Sequence, residues 1–364
     1  MNASRTIMIM AGGTGGHVFP ALAVADFLRD LGWSVVWLGT KRGMEADLVP
    51  KRGYEMAWVN FSGIRGKGVK RLLTLPLELL IAFWQSARAL FRHRPHVVLG
   101  MGGYVTIPGG MMASLFNKPL VIHEQNSLAG SSNRVLARLA DRVLIAFPDA
   151  LQARSVIWTG NPVRADIASL PIPEQRFQSR NGPLRILVVG GSLGAQALNE
   201  TVPRAIQMIA ASARPFVTHQ AGAKHLQTLR NHYADAGVTA EAELRAFIED
   251  MAAAYGNADL VICRAGALTV SELAAAGVAS VLVPFPFAVD DHQTHNARFL
   301  ADCGAAILIP QAEFNPRRLA DLLLGLTDEN FTREKLLDMA RRARQLAKPD
   351  ATRLVAEACM EVAR

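Results

Sequence analysis

The stretch that decides the fold is Ala11-Gly12-Gly13-Thr14-Gly15-Gly16-His17-Val18-Phe19-Pro20. An apolar run at 6–10 precedes it, and a helical pattern begins at Ala21. This order predicts a strand, a glycine-rich turn and a helix N-terminus, an arrangement that binds phosphates and other anions. A second such turn, GGSLGA at 190–195, follows the apolar run at 184–189. Two glycine turns in two similar halves indicate a ligand held between them.

Neither turn has the fingerprint of a dehydrogenase or of an ATPase. A dinucleotide fingerprint that starts at Gly13 needs a glycine at position 18, where Val18 stands, and an acidic residue after the next strand, where Gly39-Thr40 stands. No Gly-Lys-Ser/Thr triplet closes either turn, as a P-loop requires. Hydride transfer and ATP hydrolysis are therefore disfavoured.

Length and composition suit two domains that bind acidic partners. The 364 residues are 50% hydrophobic, which is enough for two cores, and the formal net charge is +8. Such a charge is typical of proteins that bind nucleic acid, anionic membranes or phosphorylated substrates. Cys263, Cys303 and Cys359 are too far apart for a metal motif and odd in number, which predicts free thiols.

The sequence has no pattern typical of a secretion signal or a membrane span. One arginine precedes the first apolar run, which continues into the glycine turn without a cleavage site. The longest apolar stretch, 72–84, contains Pro76 and Glu78 and is shorter than the ~20 residues of a spanning helix. We expect a protein that is soluble or peripherally bound to a membrane.

Apolar runs of strand length alternate with helical patterns along the chain. The predicted strands are 7–10, 35–38, 97–99, 120–122 and 142–145 in the first half, and 186–189, 216–219, 260–262, 281–283 and 306–309 in the second. This alternation predicts parallel sheets with helices on both faces. The fold class is therefore α/β, with two Rossmann-like domains facing a cleft.

The expected domains are 1–162, 163–340 and a helical tail at 341–364 that packs back on the first domain. Residues 159–183 carry four prolines and little periodicity, which is typical of a linker.

Glycine and polar residues follow several predicted strands, at the edge where parallel sheets bind ligands. These segments are GMGGY at 100–104, HEQN at 123–126, GNPVR at 160–164, RAGALTVSE at 264–272 and QTHNA at 293–297. Together with GGTGGH at 12–17, and in this order, they closely resemble the MurG family of peptidoglycan N-acetylglucosaminyltransferases. The resemblance covers essentially the whole chain.

This resemblance implies the two-domain glycosyltransferase-B fold, with the acceptor and the membrane on the N-terminal domain and the donor on the C-terminal domain. The implied reaction transfers N-acetylglucosamine from UDP-N-acetylglucosamine to lipid I, undecaprenyl-diphosphate-muramyl-pentapeptide, and gives lipid II. It also implies a peripheral position on the cytoplasmic face of the plasma membrane, partners among cell-wall synthesis or division proteins, and no nucleic acid and no cofactor. No Asp-x-Asp occurs in the sequence, so the metal–diphosphate clamp of the other large transferase fold is not expected.

The predicted donor site combines helix N-termini with an arginine. A helix opens with Ala267, Leu268, Thr269, Val270, Ser271 and Glu272, and its N–H groups and dipole suit the diphosphate of UDP. Ser192 in the second turn and Arg164 can bind the same oxygens. As an alternative, Arg164 is a solvated linker charge.

Glu272 has two interpretations. Its spacing from Thr269 is that of a capping box, which would tie the carboxylate to its own helix. The resemblance implies instead that the carboxylate accepts the ribose hydroxyls. It further implies that Gln293 and Asn296 contact the sugar hydroxyls and that the backbone of Ile248 meets uracil.

His17 and Glu124 are the candidates for the catalytic base. His17 follows Thr14, Gly15 and Gly16, the expected substrate-binding part of the first turn, and the helix dipole there favours a neutral imidazole. His17 can then accept the proton of the acceptor hydroxyl, or it can only position the substrate. Glu124 can be the base instead, or it can simply close a turn. A single inverting displacement needs one base, not the two carboxylates of glycoside hydrolysis.

Asn126, two residues after Glu124, can donate to and accept from sugar hydroxyls and resembles a donor contact of the family. Its alternative is also turn chemistry.

One segment combines basic and apolar residues in a way that suits an anionic bilayer. The basic residues are Lys67, Lys70, Arg71, Arg88, Arg92 and Arg94, and the apolar ones are Leu72, Leu75, Leu79, Leu80, Phe83, Trp84 and Phe91. Helical spacing does not identify the exposed face, so these leucines can equally be core residues.

Other activities share most of these features. A transferase for another lipid, such as diacylglycerol, would use the same UDP contacts with a different acceptor surface. A sugar-nucleotide epimerase would need both domains but no membrane surface, and a non-catalytic nucleotide-sugar binding protein is a further alternative.

Overall fold

The computed structural model describes residues 5–61, 70–178, 180–191, 194–327 and 333–363, with the backbone alone at 70–73, 289, 326 and 327. The chain forms two compact units. The first comprises Met1–Val163 and Lys348–Arg364, and the second comprises Arg164–Ala347.

A parallel sheet forms the centre of the first unit. Its strands within the described residues are β1 (Thr6–Met10), β2 (Ser34–Gly39), β3 (Glu55–Trp58), β4 (Val97–Gly100), β5 (Leu120–Glu124), β6 (Arg142–Ile145) and β7 (Val156–Trp158), in the order β3-β2-β1-β4-β5-β6-β7. The helices between them are α1 (Gly15–Asp30), α2 (Glu45–Lys51), α3 (Lys70–His93), α4 (Thr106–Leu115) and α5 (Ser131–Leu136). Because β1, β4 and β5 are buried on both faces, their sequences are almost continuously apolar.

The second unit repeats this plan. Its strands within the described residues are β8 (Arg185–Val189), β9 (Phe216–Gln220), β10 (Ala242–Arg245), β11 (Leu260–Cys263), β12 (Ala279–Leu282) and β13 (Ala306–Leu308), in the order β10-β9-β8-β11-β12-β13 and all parallel. Its helices are α6 (Ala165–Ala168), α7 (Pro173–Phe177), α8 (Gln196–Gln207), α9 (Leu226–Asp235), α10 (Met251–Asn257), α11 (Ala267–Ala276), α12 (His292–Ala301), α13 (Pro316–Thr327) and α14 (Arg333–Gln345).

Each sheet has one switch point, where the strand order reverses. In the first sheet it lies between β1 and β4, with Met10 in register with Gly100. In the second it lies between β8 and β11, with Val189 in register with Cys263. Ligands of open α/β sheets bind beyond the carboxyl ends of the strands at such points. Both glycine turns begin there.

The chain returns to the first unit at its C-terminus. The last helix, α15 (Ala351–Val362), packs its buried Val355 and Cys359 into the core formed by α1 and β1. The transition lies at Lys348 rather than at 341, because α14 packs on α11 and α7 of the second unit.

The ten predicted strands all occur. The prediction missed β3, β7 and β10, each of which is an edge strand. Edge strands are half-exposed and short, and β3 and β10 carry charged residues that interrupt an apolar run. β7 is a run of three apolar residues that are all exposed, and it was not predicted as a strand.

The segment predicted as a linker is packed structure. It contains α6 and α7, and Arg176 donates to the carbonyls of Ala276 and Gly277 at the end of α11. Arg180 forms a 2.6 Å ion pair with the buried Asp259. Cations at a helix C-terminus stabilise the last carbonyls, which explains why this proline-rich segment stays on the second unit.

Candidate active site

The first glycine turn lies at the switch point of the first sheet, between β1 and α1. Thr14 is the N-cap residue in extended conformation. Thr14 is exposed, whereas Gly15, Gly16 and His17 are half-buried. The turn therefore places the backbone of the predicted substrate-binding residues at the positive end of the α1 dipole.

Glu45 holds this turn, a role that was not predicted from the sequence. Its side chain is fully buried, and the carboxylate accepts hydrogen bonds from the Gly13 N–H at 3.0 Å, the Thr40 N–H at 3.0 Å and the Thr40 hydroxyl at 2.8 Å. The Trp37 indole N–H adds a bond of 2.9 Å to the Ala11 carbonyl. Glu45 is the first residue of α2, and acidic residues are common at helix N-termini because they interact favourably with the helix dipole. Its position in the sequence therefore does not indicate that it contacts the glycine turn.

The loop after β4 packs directly on the first turn. Gly103 has φ +90°, and a Cβ atom there would lie 2.4 Å from the Gly12 carbonyl oxygen, so the approach requires glycine. A Cβ atom on Gly102 would lie 2.9 Å from His17 Nε2 and 3.2 Å from Gln125 Oε1. The ends of β1, β4 and β5 therefore bring the His17 imidazole and the Gln125 amide to one glycine.

The His17 ring has a defined tautomer in this arrangement. Its Nδ1 lies 3.3 Å from the Gly12 carbonyl oxygen. Because a carbonyl can only accept, Nδ1 carries the hydrogen and Nε2 bears the lone pair of the neutral ring. Nε2 is the nitrogen on the Gly102 side.

Glu124 closes the loop after β5. One carboxylate oxygen accepts from the backbone N–H of Asn126 at 2.9 Å and from its side-chain amide at 3.3 Å. The other accepts from the Gly130 N–H at 3.0 Å and the Asn133 amide at 2.9 Å. Four donors, from this loop and the start of α5, surround the carboxylate, and Glu124 as a residue is 2% exposed. The geometry supports the turn-closing interpretation of Glu124, whereas the half-buried Asn126 stays a predicted donor contact.

A buried amide and imidazole lie beside Glu124. The His123 Nε2–H donates to the Gly160 carbonyl at 2.9 Å, and Nδ1 accepts from the Gln125 amide at 3.0 Å. Burial lowers the pKa of His123 to about 4, so the ring is neutral. Among the described residues, no group donates to the buried Gln125 Oε1. This acceptor is buried close to His17.

The second glycine turn lines a cavity of about 680 Å³ within the second unit. Its walls come from the turn, the start of α11 and the segment after β12; they include Gly190, Gly191, Gly266, Thr269, Phe285, Phe287 and Gln293. The N-caps of α8 and α11 are Ala195 and Gly266, so two helix N-termini without a polar capping residue border it. Their dipoles favour an anion here. The predicted Ser192 lies outside the described residues.

Glu272 does not cap its own helix. Because α11 begins at Ala267, Thr269 is inside the helix and cannot be the N-cap of a capping box. The Glu272 carboxylate instead forms a 3.1 Å ion pair with Arg164 and accepts a 3.2 Å hydrogen bond from the Tyr255 hydroxyl. Burial raises the pKa of Glu272 despite the opposing effect of Arg164. Tyr255 had no signal in the sequence.

The other residues of the α11 turn differ in what they can offer a ligand. Leu268 and Thr269 are half-buried, while the side chains of Ala267 and Val270 are buried. The Val270 N–H donates to the Gly266 carbonyl, so it is already used within the helix. The Ser271 hydroxyl donates to the Ala267 carbonyl at 3.0 Å.

Gln293, Asn296 and Ile248 also have defined contacts. Gln293 lines the cavity, and its side-chain oxygen accepts from the Phe285 N–H at 2.9 Å. Asn296 is completely buried and donates to the Ala265 carbonyl at 3.2 Å, so it supports the α11 turn. The Ile248 N–H donates to the Gln220 side chain at 3.1 Å, which leaves the Ile248 carbonyl for a ligand.

Helix α3 has an exposed apolar face. Leu77, Leu80, Ile81, Trp84 and Phe91 are between 40 and 66% exposed, and their spacing places them on one side of the helix. Leu77 and Ile81 were not among the predicted surface residues, whereas the predicted Leu75, Leu79 and Phe83 are half-buried.

Basic residues accompany the α3 face. The Arg88 guanidinium lies 5.6 Å from the centre of the Trp84 ring, and Arg92 and Arg94 are exposed. The predicted Lys67 and the side chains of Lys70, Arg71 and Leu72 lie outside the described residues. Among the described helices, none is both long and apolar enough to cross a membrane.

The chain matches two family models, the N-terminal domain of glycosyltransferase family 28 over residues 7–145 and its C-terminal domain over 185–355. It is 60% identical to the UDP-N-acetylglucosamine--N-acetylmuramyl-(pentapeptide) pyrophosphoryl-undecaprenol N-acetylglucosamine transferase of Nitrosospira multiformis, over 99% of each chain. It is also similar to the crystal structure of Acinetobacter baumannii MurG, with a TM-score of 0.85 and 43% identity over 98% of this chain and 99% of that one. The chain belongs to the MurG family.

Membership settles the fold class that the sequence predicted, an α/β protein with the two Rossmann-like domains of the glycosyltransferase-B fold. A UDP-N-acetylglucosamine 2-epimerase from Neisseria meningitidis has the same fold, with a TM-score of 0.67 at 12% identity over 98% of this chain and 100% of that one. At that identity the similarity concerns the fold alone.

Proposed function

We propose that the protein transfers N-acetylglucosamine from UDP-N-acetylglucosamine to the muramyl C4 hydroxyl of lipid I and forms lipid II for peptidoglycan synthesis. The observation that carries this function is the 60% identity, over the whole length, to a transferase of that name. The epimerase alternative has only the shared fold in its favour.

We assign the donor to the cavity of the second unit. Two helix N-termini favour the UDP diphosphate, and Arg164 supplies a cation 3.1 Å from Glu272. Glu272 accepts the ribose hydroxyls, the Ile248 carbonyl meets uracil, and Gln293 offers its side-chain amide to the sugar. These dipoles and this charge stabilise the negative charge that develops on the departing UDP.

His17 is the base in this proposal. The acceptor oxygen attacks the anomeric carbon from the face opposite UDP, the bond from that carbon to the diphosphate breaks, and the hydroxyl proton passes to His17 Nε2. The Nδ1 hydrogen bond to Gly12 fixes the tautomer that this step needs. Glu124, with four donors of its own, orders the loop and is not the base.

We further propose that the α3 face binds the membrane surface that carries lipid I, on the cytoplasmic side. Its exposed leucine, isoleucine, tryptophan and phenylalanine residues are the kind that enter the lipid interface, and Arg88 lies beside them. Cationic side chains add attraction to anionic lipids. Partners from cell-wall synthesis or division remain a separate expectation of the family.

Radiolabelled UDP-N-acetylglucosamine with a lipid I analogue tests the reaction. The expected product is a labelled disaccharide lipid with a β-1,4 bond. Formation of an epimerised donor, or labelling of a diacylglycerol acceptor and not of the lipid I analogue, would overturn the proposal.

A further inference from the structure

Gln220 connects two segments of the donor side of the second unit. It is the last residue of β9 and its side chain is almost wholly buried. The side-chain oxygen accepts the Ile248 N–H at 3.1 Å, and the side-chain nitrogen donates to the Gly191 carbonyl at 3.1 Å. One amide therefore joins the second glycine turn to the loop after β10.

The register of the sheet explains this position. Gln220 pairs with Val189 at the end of β8 and with Arg245 at the end of β10. The glycine turn follows Val189, and the loop that contains Ile248 follows Arg245. Gln220 thus lies on β9, between β8 and β10, and it links the loops that follow those two strands.

The residue before Gln220, His219, has its own contacts with the helices α8 and α9. His219 contacts the Asn199 side-chain oxygen through Nε2 and the Tyr233 hydroxyl through Nδ1, each at 3.1 Å. Burial lowers the pKa of His219 to about 3, so this neutral ring donates to Asn199 and accepts from Tyr233. Gly194 has φ +76°, and a Cβ atom there would lie 2.1 Å from the Ala221 carbonyl oxygen, so the turn rests against the same strand end.

The two partners of Gln220 have opposite requirements. Ile248 presents a donor and Gly191 an acceptor, so only a side chain with one acceptor and one donor satisfies both. Glutamate would place a carboxylate oxygen against the Gly191 carbonyl, and methionine would leave both backbone groups unpaired.

We propose that Gln220 is a positioning residue for the donor nucleotide: it holds the diphosphate-binding turn and the uracil-binding loop at the separation that one UDP molecule requires. The inference rests on the proposed function of this cavity as the donor site. If both segments are held at this separation, the uridine and the diphosphate of one UDP molecule bind together, and UDP binds more tightly than either part alone.

Gln220→Met tests the proposal, because methionine keeps the volume and removes both hydrogen bonds. We expect the KM for UDP-N-acetylglucosamine and the Kd for UDP to rise about tenfold, with kcat at saturating donor and the KM for lipid I analogue nearly unchanged. The ratio of the Kd for uridine to the Kd for UDP should fall by a similar factor. A uniform loss of protein stability would leave this ratio unchanged. Gln220→Glu should give the same pattern.

Tyr233→Phe is the matched control. It removes one buried hydrogen bond at the neighbouring strand residue without touching the turn or the loop. It should lower the melting temperature with the donor KM unchanged.

If Gln220→Met and Gln220→Glu lower the melting temperature as Tyr233→Phe does, yet keep the wild-type KM and the wild-type ratio of UDP to uridine affinity, Gln220 is only a structural residue. If the unmodified protein binds no UDP, the donor-site assignment itself fails, which is a different result. The uridine and UDP titrations can be made on any variant that retains a cooperative melt.

Discussion

Replacing Glu272 with glutamine separates its role in ligand binding from its role in the fold. The carboxylate is 6% exposed and contacts Arg164 at 3.1 Å and the Tyr255 hydroxyl at 3.2 Å. Glutamine keeps the size and one acceptor oxygen, and it removes the charge. The variant therefore creates no cavity and changes mainly electrostatics and hydrogen bonding.

The difference in stability between the variant and the wild type should depend on pH. Burial raises the pKa of Glu272 above the ordinary value of 4.5, so the stabilisation associated with this group is fully present below that value and is lost as the pH rises through the raised pKa. A neutral amide has no charge to desolvate and does not lose stabilisation in this way as the pH rises. We therefore expect the melting temperature of Glu272→Gln without ligand, relative to the wild type, to increase as the pH rises through the raised pKa.

Binding of UDP should weaken in the same variant. A carboxylate can accept both ribose hydroxyls, but an amide turns a donor toward one of them. A hydrogen bond to a charged group contributes about 1.5–3 kcal/mol, so losing one raises the Kd for UDP about 10- to 100-fold. The preference of the wild-type protein for UDP over 2′-deoxy-UDP should shrink as well.

Calorimetric titrations with UDP and 2′-deoxy-UDP, beside thermal melts without ligand, measure both effects. Glu174→Gln is the matched control, since Glu174 pairs with Arg341 on the surface of the same unit. Unchanged UDP affinity in Glu272→Gln would refute the ribose assignment. A lower melting temperature with intact discrimination against the deoxy ligand would show that the carboxylate serves only the fold.

Three further variants test the first unit. His17→Ala should slow the chemical step roughly 10²–10⁴-fold in single turnovers and leave the Kd for UDP unchanged; a normal single-turnover rate would exclude the base role. Glu45→Gln turns a donor toward either the Gly13 N–H or the Thr40 N–H and should cost about 1–3 kcal/mol in urea unfolding, together with part of the activity. Combining Arg88→Glu with Trp84→Ser should reduce sedimentation with anionic vesicles and transfer to membrane-embedded lipid I, while transfer to a short-chain acceptor persists; equal loss on both acceptors would place the membrane contact elsewhere.

The interior of both sheets was predictable because buried parallel strands are continuous apolar runs. Two of the missed edge strands carry polar residues that interrupt such runs, Glu55 on β3 and Glu243 on β10. The positions of both glycine turns were also predictable. Gly103 and Gly194 each lie so close to a carbonyl oxygen that a Cβ atom would clash with it, so both positions require glycine and are visible in the sequence.

The contacts of the polar site residues were less predictable, because sequence spacing says which elements carry a side chain and not what surrounds it. Asn296 follows Gln293 at helical spacing, yet Gln293 lines the cavity and Asn296 lies under the α11 turn. Gln220 has no motif at all, since its two partners are 29 and 28 residues away along the chain.

The buried glutamates of the described residues, Glu45, Glu124 and Glu272, show which physical feature separates support from ligand binding. Glu45 accepts three hydrogen bonds and Glu124 accepts four, and in both cases these include backbone N–H groups of the turn that the glutamate holds. Glu272 is held only by side chains, Arg164 and Tyr255, and burial raises its pKa. Hydroxyl donors from a bound ribose would stabilise the charged carboxylate and offset the free-energy cost of burying it. We therefore assign Glu272, which accepts the fewest hydrogen bonds of the three, to the nucleotide.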